Sequence, residues 1–145
     1  MTCQEHNRLH QIGDAIAAIL ADEQPEIPWR QEVLGPVFPK ALTGYICCDS
    51  VEFTATSKLS TKAKAVYLIQ IISPNATAET SRIEDLAMIT RKVLARNSAL
   101  DNWADNGFVS QIIFGTAAGN NKIGTALLTY EVQFDMEDME ENIYG

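Results

Sequence analysis

From Leu128 to Asp135 the chain alternates without a break. Leu128, Tyr130, Val132 and Phe134 are apolar or aromatic, and Thr129, Glu131, Gln133 and Asp135 stand between them. A helix would scatter these residues around its circumference, whereas a strand sends them to opposite faces. The pattern predicts a half-buried antiparallel strand from Ile123 to Phe134. The rest of the chain must then supply a layer to cover its dry face.

Two segments have the period such a layer needs. Leu9, Ile12, Ile16, Ile19 and Leu20 fall at helical spacing between Glu5 and Asp22, with Ala15, Ala17, Ala18 and Ala21 raising helix propensity among them. Pro25 and Pro28 stop this helix, and residues 24–42 read as a turn followed by an extended arm or short helix. Ser81-Arg82-Ile83-Glu84 has the form of a capping box. It predicts a second helix to Asn97 with a stripe of Ile83, Leu86, Ile89, Val93 and Leu94.

The remaining strands are read by alternation. Tyr45, Cys47, Val51, Phe53 and Ala55 share one parity, predicting a strand with one covered face. Lys62 to Ile72 is apolar on both parities from Ala65, predicting a central strand covered on both faces. Phe108 to Phe114 reads as a third strand, and Gly115 to Lys122 as the turn before the last. The order α-β-β-α-β-β predicts an α+β two-layer sandwich, an antiparallel or mixed four-stranded sheet with two helices on one face.

The 145 residues suffice for one domain, placed at 1–134, and 46% of them are hydrophobic. A chain of this length buries roughly two-thirds of its unfolded surface and needs neither disulfide nor metal. The apolar runs are too short for a membrane span, and Met1-Thr2-Cys3-Gln4-Glu5-His6 lacks the basic start and apolar core of a signal peptide. Eleven Lys and Arg against 19 Asp and Glu, a net charge of −8, argue against a dedicated nucleic-acid binder. Asp135, Glu137, Asp138, Glu140 and Glu141 form an acidic tail over 135–145, a solvated end or a docking segment for a basic surface. Cys3, Cys47 and Cys48 fit a reducing setting, the adjacent pair reading as small hydrophobes in a strand.

Candidate chemistry is sparse. His6 and His10 lie four apart with Cys3 nearby, but no HExxH or CxxC supplies further zinc ligands, so no metal is expected. Gly119-Asn120-Asn121-Lys122-Ile123-Gly124-Thr125 lacks both the terminal lysine and the following helix of a phosphate loop. The carboxylate pairs Glu84-Asp85 and Asp101-Asp105 suit a helix start and a polar loop, and no serine sits in a nucleophile elbow. Neither a catalytic residue nor a cofactor is assigned. Lys58, Lys62 and Lys64 place three bases at a hairpin tip, as edge protection or as a projecting loop. Paired with Asp135, Glu137 and Asp138 of a neighbouring copy, they would set complementary charges on opposite ends of a protomer, as a head-to-tail ring requires.

The plan resembles that of tail-terminator and neck (tail-completion) proteins of long-tailed bacteriophages and prophages. The resembling parts are Asp14-Ala15-Ile16-Ala17-Ala18-Ile19-Leu20, the proline-bounded arm, the hairpin from Tyr45 to Ile72, the helix from Ser81, and the strand Leu128-Thr129-Tyr130-Glu131-Val132-Gln133-Phe134. The resemblance implies a non-catalytic virion protein, a ring of typically six copies between tail tube and head connector. It would assemble in the bacterial host cytoplasm, with DNA passing through unbound and no membrane involved. An acidic lumen would keep phosphate from sticking. Two other classes stay open. One is a small ligand- or peptide-binding adaptor, which predicts an uncovered apolar sheet face. The other is an enzyme with its site at a subunit interface, which predicts a buried His6 or His10 near a carboxylate.

Overall fold

The first helix forms where the alanines and the apolar stripe predict it. A computed structural model describes residues 8–36, 39–57, 60–74, 76–100, 102–117 and 120–136. Helix α1 spans Arg8–Glu23 and buries Ile12, Gly13, Ile16 and Leu20. Pro25 lies in a turn in which the Ile27 amide donates to the Gln24 carbonyl at 3.2 Å, and two residues of the arm after Pro28 pair: β1, Trp29–Arg30, runs parallel to Gly44 and Tyr45. A Cβ on Gly44 would lie 2.3 Å from the Trp29 ring, so only glycine lets the indole lie on the strand there.

The other four strands are β2 (Thr43–Ala55), β3 (Thr61–Ser73), β4 (Asn106–Ala117) and β5 (Asn120–Met136), with α2 (Ala76–Arg96) between β3 and β4. The architecture is α+β: two helices against a five-stranded mixed sheet in the order β1-β2-β3-β5-β4, with only the β1 contact parallel. The four-stranded expectation is thus one short strand too few, because two residues are too short a run to show alternation. Among the described residues no helix is long and apolar enough to cross a membrane.

Several local expectations need correction. Helix α2 begins at Ala76, so Ser81 lies inside it and the capping-box motif does not mark its start. Ile89 is 45% exposed, and Thr90, at 0%, takes the place expected for it in the stripe. The Thr90 hydroxyl lies 2.7 Å from Gln24 Oε1 and 2.8 Å from the Leu86 carbonyl, while Gln24 Nε2 donates to that carbonyl at 3.3 Å. A polar residue holds a core position because its partners are buried with it. Strand β4 continues to Ala117 and β5 starts at Asn120, so most of the expected turn at Gly115–Lys122 is strand.

Strand β2 does not keep one parity. Its ladder to β3 shifts between Cys48 and Ser50, a bulge that leaves Asp49 unpaired. Before the bulge Gly44, Ile46 and Cys48 stand opposite Ile71, Ile69 and Tyr67, and beyond it Val51 and Phe53 stand opposite Ala65 and Ala63. Directly opposed residues share a face. The extra residue therefore moves Tyr45 and Cys47 to the face away from Val51 and Phe53. Strand β4 carries a similar shift between Val109 and Gln111.

The core lies on the helix side. Ala65, Tyr67, Ile69 and Ile71 of β3, and Ala126, Leu128, Tyr130, Val132 of β5, are 0% exposed and pack with Ile12, Ile16, Leu20, Val93 and Leu94. The alternation of the last strand appears as read, with Phe134 also buried. The central strand β3 is not covered on both faces: Val66, Leu68 and Gln70 are only half-buried, because both helices pack on the opposite side.

Candidate functional site

The sheet face opposite the helices is the main surface with no element laid over it among the described residues. Strand pairing sets its rows. Tyr45, Gln70, Leu127 and Ile113 form one row across β2, β3, β5 and β4, and Cys47, Leu68, Thr129 and Gln111 form the next. Ser50, Val66, Glu131 and Phe108 follow. Tyr45, Cys47, Val66, Leu68 and Leu127 are half-buried by their neighbours, and Ile113 and Phe108 stand 50% and 46% exposed. Apolar side chains thus stand in every row of the face, interrupted by Gln70, Thr129, Gln111 and Glu131, where a solvated face would carry polar residues throughout, a pattern that marks an interaction surface. On the helix-covered face two corners also stay open: Phe53 at the β2 edge, 58% exposed, and Phe114 at the β4 edge, 44% exposed.

One end of the open face is charged. Lys64 Nζ lies 2.8 Å from Glu131 Oε1, and Lys62 Nζ lies 3.3 Å from Asp135 Oδ1. The hydrogen bond and charge of Glu131 raise the Lys64 pKa, and the same bond, with one from Ser110, lowers that of Glu131. These contacts correct the expectation of complementary charges at opposite ends of a protomer. Antiparallel pairing of β3 with β5 brings Lys62 beside Asp135 in the same chain, so both signs sit at one end. Asp135 belongs to β5; Lys58, Glu137 and Asp138 lie outside the described residues.

The other candidates disperse. His10 is exposed, 3.5 Å from the Asp14 carboxylate one turn on, while His6 and Cys3 lie outside the described residues. Among the described residues no three His, Cys, Asp or Glu side chains gather to hold a metal. Both cysteines lie in strand β2 as read, Cys48 exposed beside the bulge and Cys47 half-buried on the open face. Burial pushes both thiols up, with the Asp49 charge acting in the same direction. Residues 120–125 are strand, which leaves no helix N-terminus after the glycine-rich segment.

Sequence reasoning held the open face only as what an adaptor would predict. Its signal was the apolar second parity of β3, which reads equally as a buried central strand; only the placement of the helices separates the two.

No protein-family model matches the chain. No curated protein matches it either. Among solved structures, the chain bears a distant structural likeness to a protein from the virion of a native gene transfer agent particle. That likeness has 14% identity and a TM-score of 0.35, over 88% of this chain and 92% of that one. A second solved structure, of a protein without a functional description, has 16% identity and a TM-score of 0.44 over 83% of this chain and 95% of that one.

Proposed function

We propose that this chain is a non-catalytic structural subunit of a phage-type particle, a tail-terminator or head–tail joining protein that works as a ring of identical copies. The open face of the sheet carries the reading: Leu68, Leu127, Ile113 and Phe108 leave an apolar strip facing water in a lone subunit, and assembly removes it. The plan of helix, arm, hairpin, helix and hairpin supports the particular kind of assembly. Its neighbours in the particle are the tail tube on one side and the head connector on the other. DNA passes through the ring without specific contact, as suits a chain of net charge −8.

The same strip favours a second reading, an adaptor that binds a peptide on its sheet. Light scattering behind size exclusion, over a hundredfold range of concentration, separates the two. A ring-sized species, imaged with a central hole, supports the structural subunit. A monomer at every concentration overturns it in favour of the adaptor, and a ring with a strongly basic lumen would refute the passive passage of DNA.

A further inference from the structure

A strand at the edge of a sheet offers its backbone hydrogen-bonding groups to any strand that fits, and natural edges are blunted by charge, proline or bulges. Among the described residues the sheet has an open edge on each side. Strand β4 ends one side, and its 12 residues include no Lys, Arg, Asp, Glu or Pro. After the bulge at Ser110 it runs regularly from Gln111 to Thr116, with Gln111, Ile113, Phe114 and Gly115 exposed. On the other side β1 covers β2 only at Gly44 and Tyr45. Beyond the bulge at Asp49, β2 runs regularly from Ser50 to Ala55, with Glu52, Phe53, Thr54 and Ala55 exposed. Each edge thus has one straight run of equal length. Each run also sets one exposed phenylalanine on the helix-covered face, Phe114 on β4 and Phe53 on β2.

We infer that the β4 run of one copy pairs antiparallel with the β2 run of the next, with Phe114 opposite Phe53. The pairing rests on the ring reading and is its lateral contact. Strand direction selects the partner. The ladders alternate from β2 through β3 and β5 to β4, so β2 and β4 run opposite ways. Copies related by the turn of a ring therefore meet antiparallel, as the long strands within each sheet do. Charge agrees: β4 brings no acid to Glu52, whereas two β2 runs would bring acid to acid. Two β4 runs would close a dimer and leave both β2 edges open. With Phe114 against Phe53, Ile113 falls opposite Thr54 on the open face, so the contact takes up an exposed member of the apolar strip. The open faces of successive copies then join into one surface. Phe53 and Phe114 stand in the rows of Ala63 and Ile71 of β3, so each copy steps along its neighbour by about 26 Å, an inclination of the kind that closes a sheet on itself.

The test uses the full chain, with folding checked by circular dichroism. F53E and F114K should each raise the concentration at which copies assemble by about tenfold or more, since a charge on a strand edge blocks pairing. F53E/F114K in one chain sets opposite charges against each other at every contact, and should assemble at least about threefold more readily than either single variant. In chains whose native cysteines are replaced by serine, F53C/F114C should give a ladder of disulfide-linked oligomers on oxidation, and F53C or F114C alone should give none. Amide hydrogen exchange should slow on assembly in residues 50–55 and 111–116 together. In an assembled ring, no effect of either charged variant, no ladder, or unchanged exchange in these runs overturns the pairing and leaves the ring reading intact. A cross-link from F114C alone overturns it too, since two β4 strands would then be in contact. A chain that remains monomeric at every concentration overturns both.

Discussion

Tyr130 and Gly107 share one small space. A Cβ on Gly107 would stand 2.3 Å from the Tyr130 hydroxyl, and that hydroxyl is buried with no hydrogen-bond partner among the described residues. Tyr130→Phe should therefore stabilise the chain by about 1 kcal/mol in urea unfolding, since an orphaned polar group costs more than its removal. Gly107→Ala should destabilise it by about 1–3 kcal/mol through overpacking. Burial also pushes the Tyr130 pKa up to about 12 from its ordinary 10 and raises that of Tyr67, whose hydroxyl donates to the Leu9 carbonyl. Folding favours the protonated phenols. Stability is thus intact below pH 10 and falls as pH rises toward 12, by about 1.4 kcal/mol per pH unit for each tyrosine. Tyrosinate absorbance followed against alkaline unfolding checks the sign, and Tyr130→Phe should make the decline shallower. Thr90→Val leaves Gln24 Oε1 buried without its donor, and should cost about 1–3 kcal/mol in the same urea measurement.

At the scale of elements, β3 and β5 are held by their long ladder and by two charged pairs on its open side. Lys64 and Glu131 are bonded in the folded chain, and the Glu131 pKa is lowered. A lowered carboxylate pKa gives stability that is present above the ordinary carboxylate range and lost as pH falls through the folded value. Lys64→Ala should return the Glu131 titration toward the ordinary range, read by its side-chain carbon shifts, and weaken the acid dependence of unfolding. The bulge at Asp49 belongs to the same scale. It lets one strand give Ile46 to the core and Tyr45 and Cys47 to the open face, then return Val51 to the helix side. Much of this was legible in residues. The alternation of Leu128 to Phe134 and the stripe from Ile12 to Leu20 each name a face, because burial of that face is the dominant force on them. The exchange of Ile89 for Thr90 was not legible, because a threonine reads as polar until Gln24, 66 residues away in sequence, is known to meet it.

For the whole molecule, the two helices cover one side of the sheet and, among the described residues, leave the other open. Ile113→Lys or Phe108→Lys on that open face, both about half exposed, should leave unfolding within about 0.5 kcal/mol of the parent, as surface substitutions do. Either should remove any assembly that buries the strip, seen as a fall in solution mass. A ring whose mass is unchanged by both would show the open face to be free of its copies and available to the tube or connector. The charged end of that face, where Lys62 and Lys64 are bonded within the chain, is expected to contribute little to such assembly.

Local pattern alone set the α+β class, the order of both helices and the four long strands, and the dry face of the last strand. Each is set by periodicity within ten to twenty residues, where burial and backbone geometry act locally. The candidate site was legible only as an ambiguity, in the apolar second parity of Val66 and Leu68. Tertiary structure decided that no helix covers it, that Lys62 meets Asp135 in its own chain, and that β1 joins the sheet. Those facts depend on which segments meet across 15 to 75 residues of chain. Such meetings follow from the packing of whole layers, and no local pattern records them.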